Sequence, residues 1–428
     1  MSTMANLFLV AVMAGASRGA GDPQIPRVEV TPILHQGDPA PGIPDATIVW
    51  LFIPQIDAQG NVLVWAFFER QGDPTARRGL WYGPPGALQP VAYEGMQAPD
   101  LPEGVLYADI TGDVWLSENG WIGITTFLSG PGIAGGVNDL ANFVGPPGDI
   151  RLVLQGGDAA PGLEPGTILD VGSGLGMTAW LSDNATVLVI AWLSGPAVDE
   201  TNDQAIWIGP RDDLQLIWRR GMEAPGTGGA RFAFGQDFRF NDNAQVAFRG
   251  GLVNEGDVDF TNDGGIWSGG VESLQLLARE TEPAPGTPTG VYFSGFNPPA
   301  FNRSREVAFS ALLAGEGVTS ENDSGLWLST AQGLDLVGRE GDAVPQIGPD
   351  VELDAIGSTQ INARQDVFYR VKYRGSEVDE SNAWAVYVGT FDDPQQMLRD
   401  GVPAPHMPLG TFLSRVVSAP ALLAMNDV

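Results

Sequence analysis

A short proline loop recurs along this chain at nearly constant spacing. Each copy has an Ala-Pro or Val-Pro pair, usually with glycine after it and an acidic residue before it. The prolines lie 58 to 64 residues apart, at Pro41, Pro99, Pro161, Pro225, Pro285, Pro345 and Pro405. Such a period indicates that the 428 residues repeat one structural unit rather than form two or three unrelated domains.

An aromatic residue marks the same repeat independently. It sits in short segments such as GLWYG and GIWSG, fourteen residues before the glycine-like position of the next proline loop. The positions are Trp81, Phe143, Trp207, Trp267, Trp327 and Tyr387. Because two markers keep a fixed phase, the repeats are expected to share one fold.

Each repeat holds four short runs rich in Val, Ile, Phe, Trp and Ala, separated by Gly, Pro, Asn and Asp. No long run has a helical period, so the runs are predicted to be strands. In the repeat from Val291 they are VYFSGFNPPAFN, EVAFSALL, GLWLS and GLDLVGRE, labelled A to D. The A-to-B turns are predicted to be tight, and the B-to-C and D-to-A connections long.

A period near 60 residues is too long for one solenoid coil and too short for tandem immunoglobulin-like sandwiches. Blades of a β-propeller pack face to face, which explains why strand B, such as Val307 to Leu312, is almost continuously apolar. We therefore predict an all-β fold, a β-propeller of seven four-stranded blades of about 60 residues, as a single domain over residues 28–428.

The two ends leave the seventh blade incomplete or closed by both termini. A lone D-like strand, Val28 to Gln36, precedes six complete sets, and a lone A-like strand, Gly410 to Asn426, follows them. Strands B and C of that blade are missing. Either the sequence is truncated and has lost a C-terminal stretch, or Leu7 to Met13 supplies strand B, or six blades form the ring with loose ends.

The first residues also fit a targeting segment. The apolar run Leu7 to Ala14 is too short to span a bilayer and is followed by the small residues Ala14, Gly15 and Ala16. Residues 1–27 are thus a candidate signal peptide and leader, although no lysine or arginine precedes the run. This predicts an extracellular or cell-surface protein without a membrane span.

The charge of the chain limits its partners. It has 52 acidic residues against 22 lysines and arginines, a net charge of −30 and a pI of about 4.1. Such a negative field excludes nucleic acid as a natural partner.

The absence of cysteine excludes disulfides and thiolate metal sites. We expect a monomer.

The A-to-B turn and strand B resemble the NxxGxxAxxAxF motif of a bacterial secreted or surface tandem-repeat family, the choice-of-anchor repeat proteins. The copy from Asp57 keeps Gly60, Ala66 and Phe68, and a second copy keeps Asn302, Ala308 and Ala311; the other copies are looser. The resemblance implies extracellular placement. It implies no established activity.

One B-to-C loop is a candidate calcium site. Between Asn254 and Asp263 the chain offers several hard oxygen ligands, of which the candidate metal ligands are Asp257, Asp259, Asn262 and Asp263. The order of an EF-hand is not met, since the sixth position from Asp257 is not glycine. The alternative is a solvated acidic loop, and calcium is the one cofactor that we consider.

Other recurring residues have structural explanations. Proline and glycine turn the chain between blades, and an asparagine five residues before five of the six strand-C aromatics suits an Asx-turn, at Asn138, Asn202, Asn262, Asn322 and Asn382. The two histidines, His35 and His406, would lie on neighbouring blades of a closed ring. They are either a catalytic or metal pair or isolated surface side chains.

The D-to-A and B-to-C loops should emerge together, which gathers many acids on one face. The preferred function is a binding or interaction scaffold whose acidic loop face docks a glycan, cation or protein partner, with the ligand unknown. The alternative is an extracellular carbohydrate-active hydrolase or lyase that uses two propeller carboxylates. With 52 acids in the chain, the sequence selects no catalytic pair, so an enzyme is the less favoured prediction.

Overall fold

The computed structural model describes residues 7–11, 30–172, 176–362, 364–389 and 395–403, and its regular structure in these ranges consists of β-strands alone. The strands form six antiparallel sheets of four or five strands and one two-stranded pair. The chain divides into two compact units, residues 1–199 with 203–216 and residues 200–202 with 217–428. Successive four-stranded antiparallel sheets are the blades of a β-propeller, so the predicted fold class is confirmed.

The strands of unit 1 follow the predicted order. In its first and third sheets the first strand is broken in two, and both pieces pair with the second strand. The strands are β1 (Leu7–Ala11), β2 (Val30–His35), β3 (Ala46–Leu51), β4 (Gln55–Ile56), β5 (Val62–Arg70), β6 (Asp73–Gly83), β7 (Gln89–Tyr93), β8 (Leu106–Leu116), β9 (Ile122–Ser129), β10 (Leu140–Gly145), β11 (Arg151–Gln155), β12 (Ile168–Asp170), β13 (Met177–Leu181), β14 (Val187–Ser194) and β15 (Gln204–Gly209), with β16 (Gln215–Arg219) at the unit boundary.

Unit 2 holds three sheets in the orders β17-β18-β19-β20, β21-β23-β24-β25 and β26-β27-β28-β29, with β22 also paired to β23. Their strands are β17 (Phe232–Phe240), β18 (Gln245–Leu252), β19 (Gly264–Gly270), β20 (Gln275–Arg279), β21 (Val291–Phe296), β22 (Ala300–Phe301), β23 (Val307–Gly315), β24 (Ser324–Thr330), β25 (Gly333–Arg339), β26 (Glu352–Ile361), β27 (Val367–Arg374), β28 (Trp384–Gly389) and β29 (Gln395–Arg399).

Strand B packs on both faces, as its apolar sequence predicts. In β23, Phe309 lies in a core cluster with Ile266 of the preceding sheet. Ala308, on the opposite face, lies in a second cluster with Val367 and Tyr369 of the following sheet. Side chains alternate across a strand, so a strand that is buried on both faces needs apolar residues at every position.

The A-to-B turns are held by one recurring polar residue. Asn302 Oδ1 accepts from the Glu306 amide N–H at 2.9 Å, which closes the turn, and Asn302 Nδ2 donates to the Asn362 carbonyl of the next sheet at 2.7 Å. Asn241 Nδ2 donates in the same way to the Asn302 carbonyl at 3.1 Å. The asparagine of the repeated motif therefore closes its own turn and ties neighbouring sheets together.

One predicted connection is wrong. In the first sheet the B-to-C connection is the short turn at Gln71 and Gly72, not a long loop. Gly72 has a φ of 81°, a conformation that glycine adopts without strain and that a tight turn between two antiparallel strands requires.

Only the amino-terminal side of the predicted closure lies within the described residues. Leu7–Ala11 forms a strand antiparallel to Val30–His35, the D-like strand. It thus takes the neighbouring place that strand C has in a complete sheet, not the place of strand B that one of the three alternatives gave to this segment. The predicted A-like strand, Gly410 to Asn426, lies outside the described residues, as does most of the candidate leader.

Candidate functional site

In each sheet of unit 2 the B-to-C loop lies against the loop that follows strand D, and we call this place the loop end. In unit 2, an arginine that ends strand D donates from Nε to the carbonyl of the loop asparagine. The pairs are Arg279 to Asn262 at 2.8 Å, Arg339 to Asn322 at 2.9 Å and Arg399 to Asn382 at 3.0 Å. The prediction that the long loops of a sheet emerge together is confirmed for these sheets.

The proline loop is joined to the strand-C tryptophan by a hydrogen bond. The indole Nε1 donates to the carbonyl of the proline in the loop that enters the same sheet, from Trp81 to Pro41 at 2.8 Å, Trp207 to Pro161 at 2.8 Å, Trp267 to Pro225 at 3.1 Å and Trp327 to Pro285 at 2.9 Å. All four tryptophans are fully buried. In these four repeats the two markers are thus bonded partners, and the proline loop has a structural role.

Acidic side chains of the proline loops accept hydrogen bonds from backbone amides next to their own loops. Asp38 Oδ2 accepts from the His35 amide N–H at 2.7 Å, and Asp342 Oδ2 accepts from the Arg339 amide N–H at 2.7 Å. His35 Nδ1 lies 3.1 Å from Asp38 Oδ2, while His406 is outside the described residues. The predicted histidine pair therefore stays a prediction.

The side chain of the B-to-C loop asparagine bonds backbone groups of residues that precede it in the chain. Asn262 Oδ1 accepts from the Asp259 amide N–H at 2.9 Å, and Nδ2 donates to the Asp257 carbonyl at 2.9 Å. The Asx-turn of this loop is instead made by Asp259, whose Oδ1 accepts from the Thr261 amide N–H at 2.8 Å. The same bonds recur at Asn382 and Asp379. The asparagine is structural, but our assignment of the Asx-turn to it is corrected.

The structure brings only some of the predicted calcium ligands together. Asn262 bonds the backbone of Asp257 and Asp259, and hydrogen bonds from Thr261 hold the pKa of the Asp259 carboxyl below its usual range. Asp263 turns instead towards Glu280, with which it shares a hydrogen bond. Among the described residues there is no group of three or more His, Asp or Glu side chains placed to hold a metal ion. Calcium at this loop stays a prediction.

Two carboxyl pairs lie at the loop end in unit 2. Glu280 is hydrogen-bonded to Asp263 and accepts from the Gly264 amide N–H at 2.7 Å, and Glu340 is hydrogen-bonded to Asp323 in the next sheet. Burial raises the pKa of both glutamates, and the neighbouring aspartate adds to the rise. Two carboxyl groups that share a hydrogen bond lie closer together than the two catalytic acids of a glycosidase, which are roughly 5 Å or more apart. Neither pair therefore has the separation that glycosidases use.

The B-to-C loop of the first sheet of unit 2 has an aromatic tip that sequence reasoning missed. Phe260 is 86% exposed and stands between Asp259 and Thr261. In the next two sheets the equivalent position, two residues before the loop asparagine, is Ser320 or Glu380. The signal was available in the sequence, because this is the place where one repeat departs from its neighbours.

No helix in the described part of the chain is long and apolar enough to cross a membrane.

The profile of a family of unknown function, DUF7453, matches residues 26–256 and again residues 231–428. The chain belongs to this family. The two overlapping matches agree with an internal repeat, since one profile fits each half. Nothing in these matches bears on the resemblance to the choice-of-anchor repeat proteins. No curated protein matches the sequence.

Solved structures that are similar to the chain include β-propellers. The propeller domain of the trilobed protease from Pyrococcus furiosus shares 9% identity at a TM-score of 0.39, with 83% of this chain and 84% of that one covered. The Dos1 propeller shares 10% identity at a TM-score of 0.34, with 83% and 70% covered. An acylaminoacyl peptidase from Pyrococcus horikoshii shares 9% identity at a TM-score of 0.31, with 83% and 46% covered. The chain thus spans less than half of that peptidase.

Proposed function

We propose that this protein is a secreted or cell-surface binding scaffold whose acidic loop end docks a positively charged protein. The observation that carries the proposal is the 86% exposed Phe260 at the tip of an acidic loop. Large aromatic side chains are typical anchors of protein interfaces, because they bury much apolar area while they lose little conformational entropy.

Hydrogen bonds hold the backbone of the loop on both sides of Phe260. The amide N–H and the hydroxyl of Thr261 both donate to Asp259 Oδ1, at 2.8 and 2.6 Å. The Asn262 side chain bonds the Asp259 amide and the Asp257 carbonyl. Arg279 then fastens the loop to strand D through the Asn262 carbonyl. A preorganised loop has less conformational entropy to lose on binding, which favours affinity.

The surrounding charge selects the kind of partner. Glu255, Asp257 and Asp259 are exposed beside Phe260, and the whole chain carries a net charge of −30. A basic partner would be attracted and an acidic one repelled, and both effects weaken as salt is added. The partner surface that fits is an apolar pocket with lysine or arginine at its rim.

Selection of a displayed random peptide library on the purified protein tests the proposal. We expect enriched peptides to be basic, to lose affinity as salt is raised, and to fail on Phe260→Ser. The matched control is Ile53→Ser, because Ile53 is 82% exposed but lies outside the loop end. Enrichment that survives Phe260→Ser, or that yields no basic sequences, contradicts the proposal. A glycan array probed in parallel would reveal the other class of partner.

Extracellular placement is part of the same proposal and rests on the sequence. The apolar run Leu7 to Ala14 and the small residues after it fit a signal peptide, and cleavage after Ala16 would remove strand β1, which pairs with Val30–His35 in the uncleaved chain. Expression in a bacterium followed by amino-terminal sequencing of the exported protein is the test. A start just after Ala16 supports the proposal, and intact protein retained in the cytoplasm contradicts it.

A further inference from the structure

The first strands of the three sheets of unit 2 are all interrupted near their middle. β17 changes register between Gln236 and Arg239, and β26 changes register between Ile356 and Thr359. Between β21 and β22 the chain runs through Asn297, Pro298 and Pro299, where the two prolines have no N–H to give to strand pairing. Bulges of this kind redirect side chains and often lie beside functional sites.

These interruptions border a cavity of about 670 Å³, the first-strand cavity. Its volume lies within the range of roughly 300–1,000 Å³ that is typical of small-molecule sites. It lies between successive first strands of unit 2, midway along them, and therefore away from the loop end. Its lining includes Arg239, Asn297, Pro299, Phe301, Ser310 and Thr359.

The lining combines apolar surface with oriented polar groups. Pro298, Pro299 and Phe301 give flat apolar contact. Asn297 Nδ2 donates to Ser310 Oγ at 3.0 Å, and the Asn297 amide N–H donates to the Ser310 carbonyl at 2.9 Å, which fixes the side-chain amide in orientation. A sugar ring has the matching character, with apolar C–H faces and a rim of hydroxyls.

Arg239 gives the cavity a positive charge. Its guanidinium donates to the Phe238 carbonyl at 3.2 Å, and the side chain is exposed. The acid of the same bulge, Asp237, lies 2.9 Å from Arg249 Nη2, so it is already paired with another cation. Arg249 also donates to the Phe296 carbonyl at 2.9 Å, which fastens this bulge to the next sheet. A guanidinium in a fixed cleft suits a planar carboxylate.

We infer that the first-strand cavity binds a small saccharide that carries one carboxylate. The carboxylate pairs with the Arg239 guanidinium, the ring lies on the proline and phenylalanine surface, and the hydroxyls bond the Asn297 and Thr359 side chains. The inference does not depend on the proposed function, because Phe260 and the peptide partner belong to the loop end.

Calorimetric titration with D-galacturonate and D-glucuronate, each against its neutral sugar, tests the inference. We expect at least one uronate to bind at millimolar concentration or below, and its neutral counterpart to bind about tenfold or more weakly. Arg239→Gln should remove that difference. Thr359→Trp should block both sugars by filling the cavity. Circular dichroism and thermal melts of each variant check that it is folded.

The matched control is Arg231→Gln, because Arg231 precedes the same strand and donates to the Gly221 carbonyl, outside the cavity. This variant should bind the uronate as the wild type does. Three results would overturn the inference: no binding of either uronate, equal binding of charged and neutral sugars, or an unchanged affinity in Arg239→Gln. Acetate that binds as tightly as the uronates would overturn the saccharide assignment.

Discussion

The indole N–H of Trp327 donates to the Pro285 carbonyl at 2.9 Å, and the indole itself is fully buried while Pro285 lies in an exposed loop. Loss of this hydrogen bond together with part of a fully buried ring costs about 1–3 kcal/mol. We therefore expect Trp327→Phe to lower the free energy of unfolding by that amount, measured by urea denaturation. Trp50→Phe is the control, since Trp50 is 47% exposed, and it should cost much less. Equal losses in the two variants would show that the bond contributes nothing.

Glu280 gives the fold a pH dependence. Burial raises the pKa of its carboxyl, and the adjacent Asp263 adds to the rise. The folded protein thus keeps this proton to a higher pH than the unfolded chain, so stability from this group is present at low pH and is lost as the pH rises through its folded-state pKa.

The isosteric Glu280→Gln keeps an acceptor for the Gly264 amide and offers Asp263 a donor at every pH. We expect the variant to be more stable than wild type by about 1 kcal/mol at neutral pH, with the gain shrinking towards about pH 5. Urea denaturation across this range is the measurement. Glu282→Gln, on the exposed part of the same loop, serves as the control. A gain that does not change with pH would contradict the assignment.

At the scale of the element, the strands of a repeat were predictable because their signals are local. The runs assigned to strands A to D in the repeat from Val291 coincide with β21 to β25. What was not predictable is how side chains are used in three dimensions. The sequence shows Trp327 and Pro285 at a constant separation, but only packing reveals that they bond.

The glycine-like position after strand D shows the same limit. It is glycine in most repeats, for example Gly341 with a φ of 87°, yet Thr281 holds a φ of 65° at the same place. Local preference disfavours this conformation for a β-branched residue, so the neighbouring strands impose it. The first-strand cavity was likewise unpredictable, because Arg239, Asn297 and Thr359 come from three different repeats.

The acidic B-to-C loop carries the calcium prediction. If calcium binds among Asp257, Asp259, Asn262 and Asp263, it should raise the thermal midpoint, by an amount equivalent to about 2.7 kcal/mol at a free concentration 100 times the dissociation constant. Melts with millimolar calcium and with chelator test this, and the double variant Asp257→Asn, Asp263→Asn should abolish the rise. Identical midpoints in calcium and chelator would leave the loop as solvated charge.

At the scale of the whole molecule, a net charge of −30 acts against the compact state. We expect the thermal midpoint to rise between about 10 mM and about 300 mM sodium chloride, because added salt shortens the distance over which charges repel. Tetramethylammonium chloride at equal ionic strength is the control for specific sodium binding. It should give the same rise, and a rise with sodium alone would contradict simple screening.

The tryptophan-to-proline bond also defines where one repeat can be cut from the next. It joins the loop that enters a sheet to the third strand of that same sheet, over 40 to 46 residues of chain. A segment that starts at the proline loop and ends with strand D therefore carries the bond entirely within itself. Such a segment is the natural module for duplication and for recombination between copies, and grafting one in place of another along these boundaries should preserve the bond in every hybrid whose strand C carries the tryptophan.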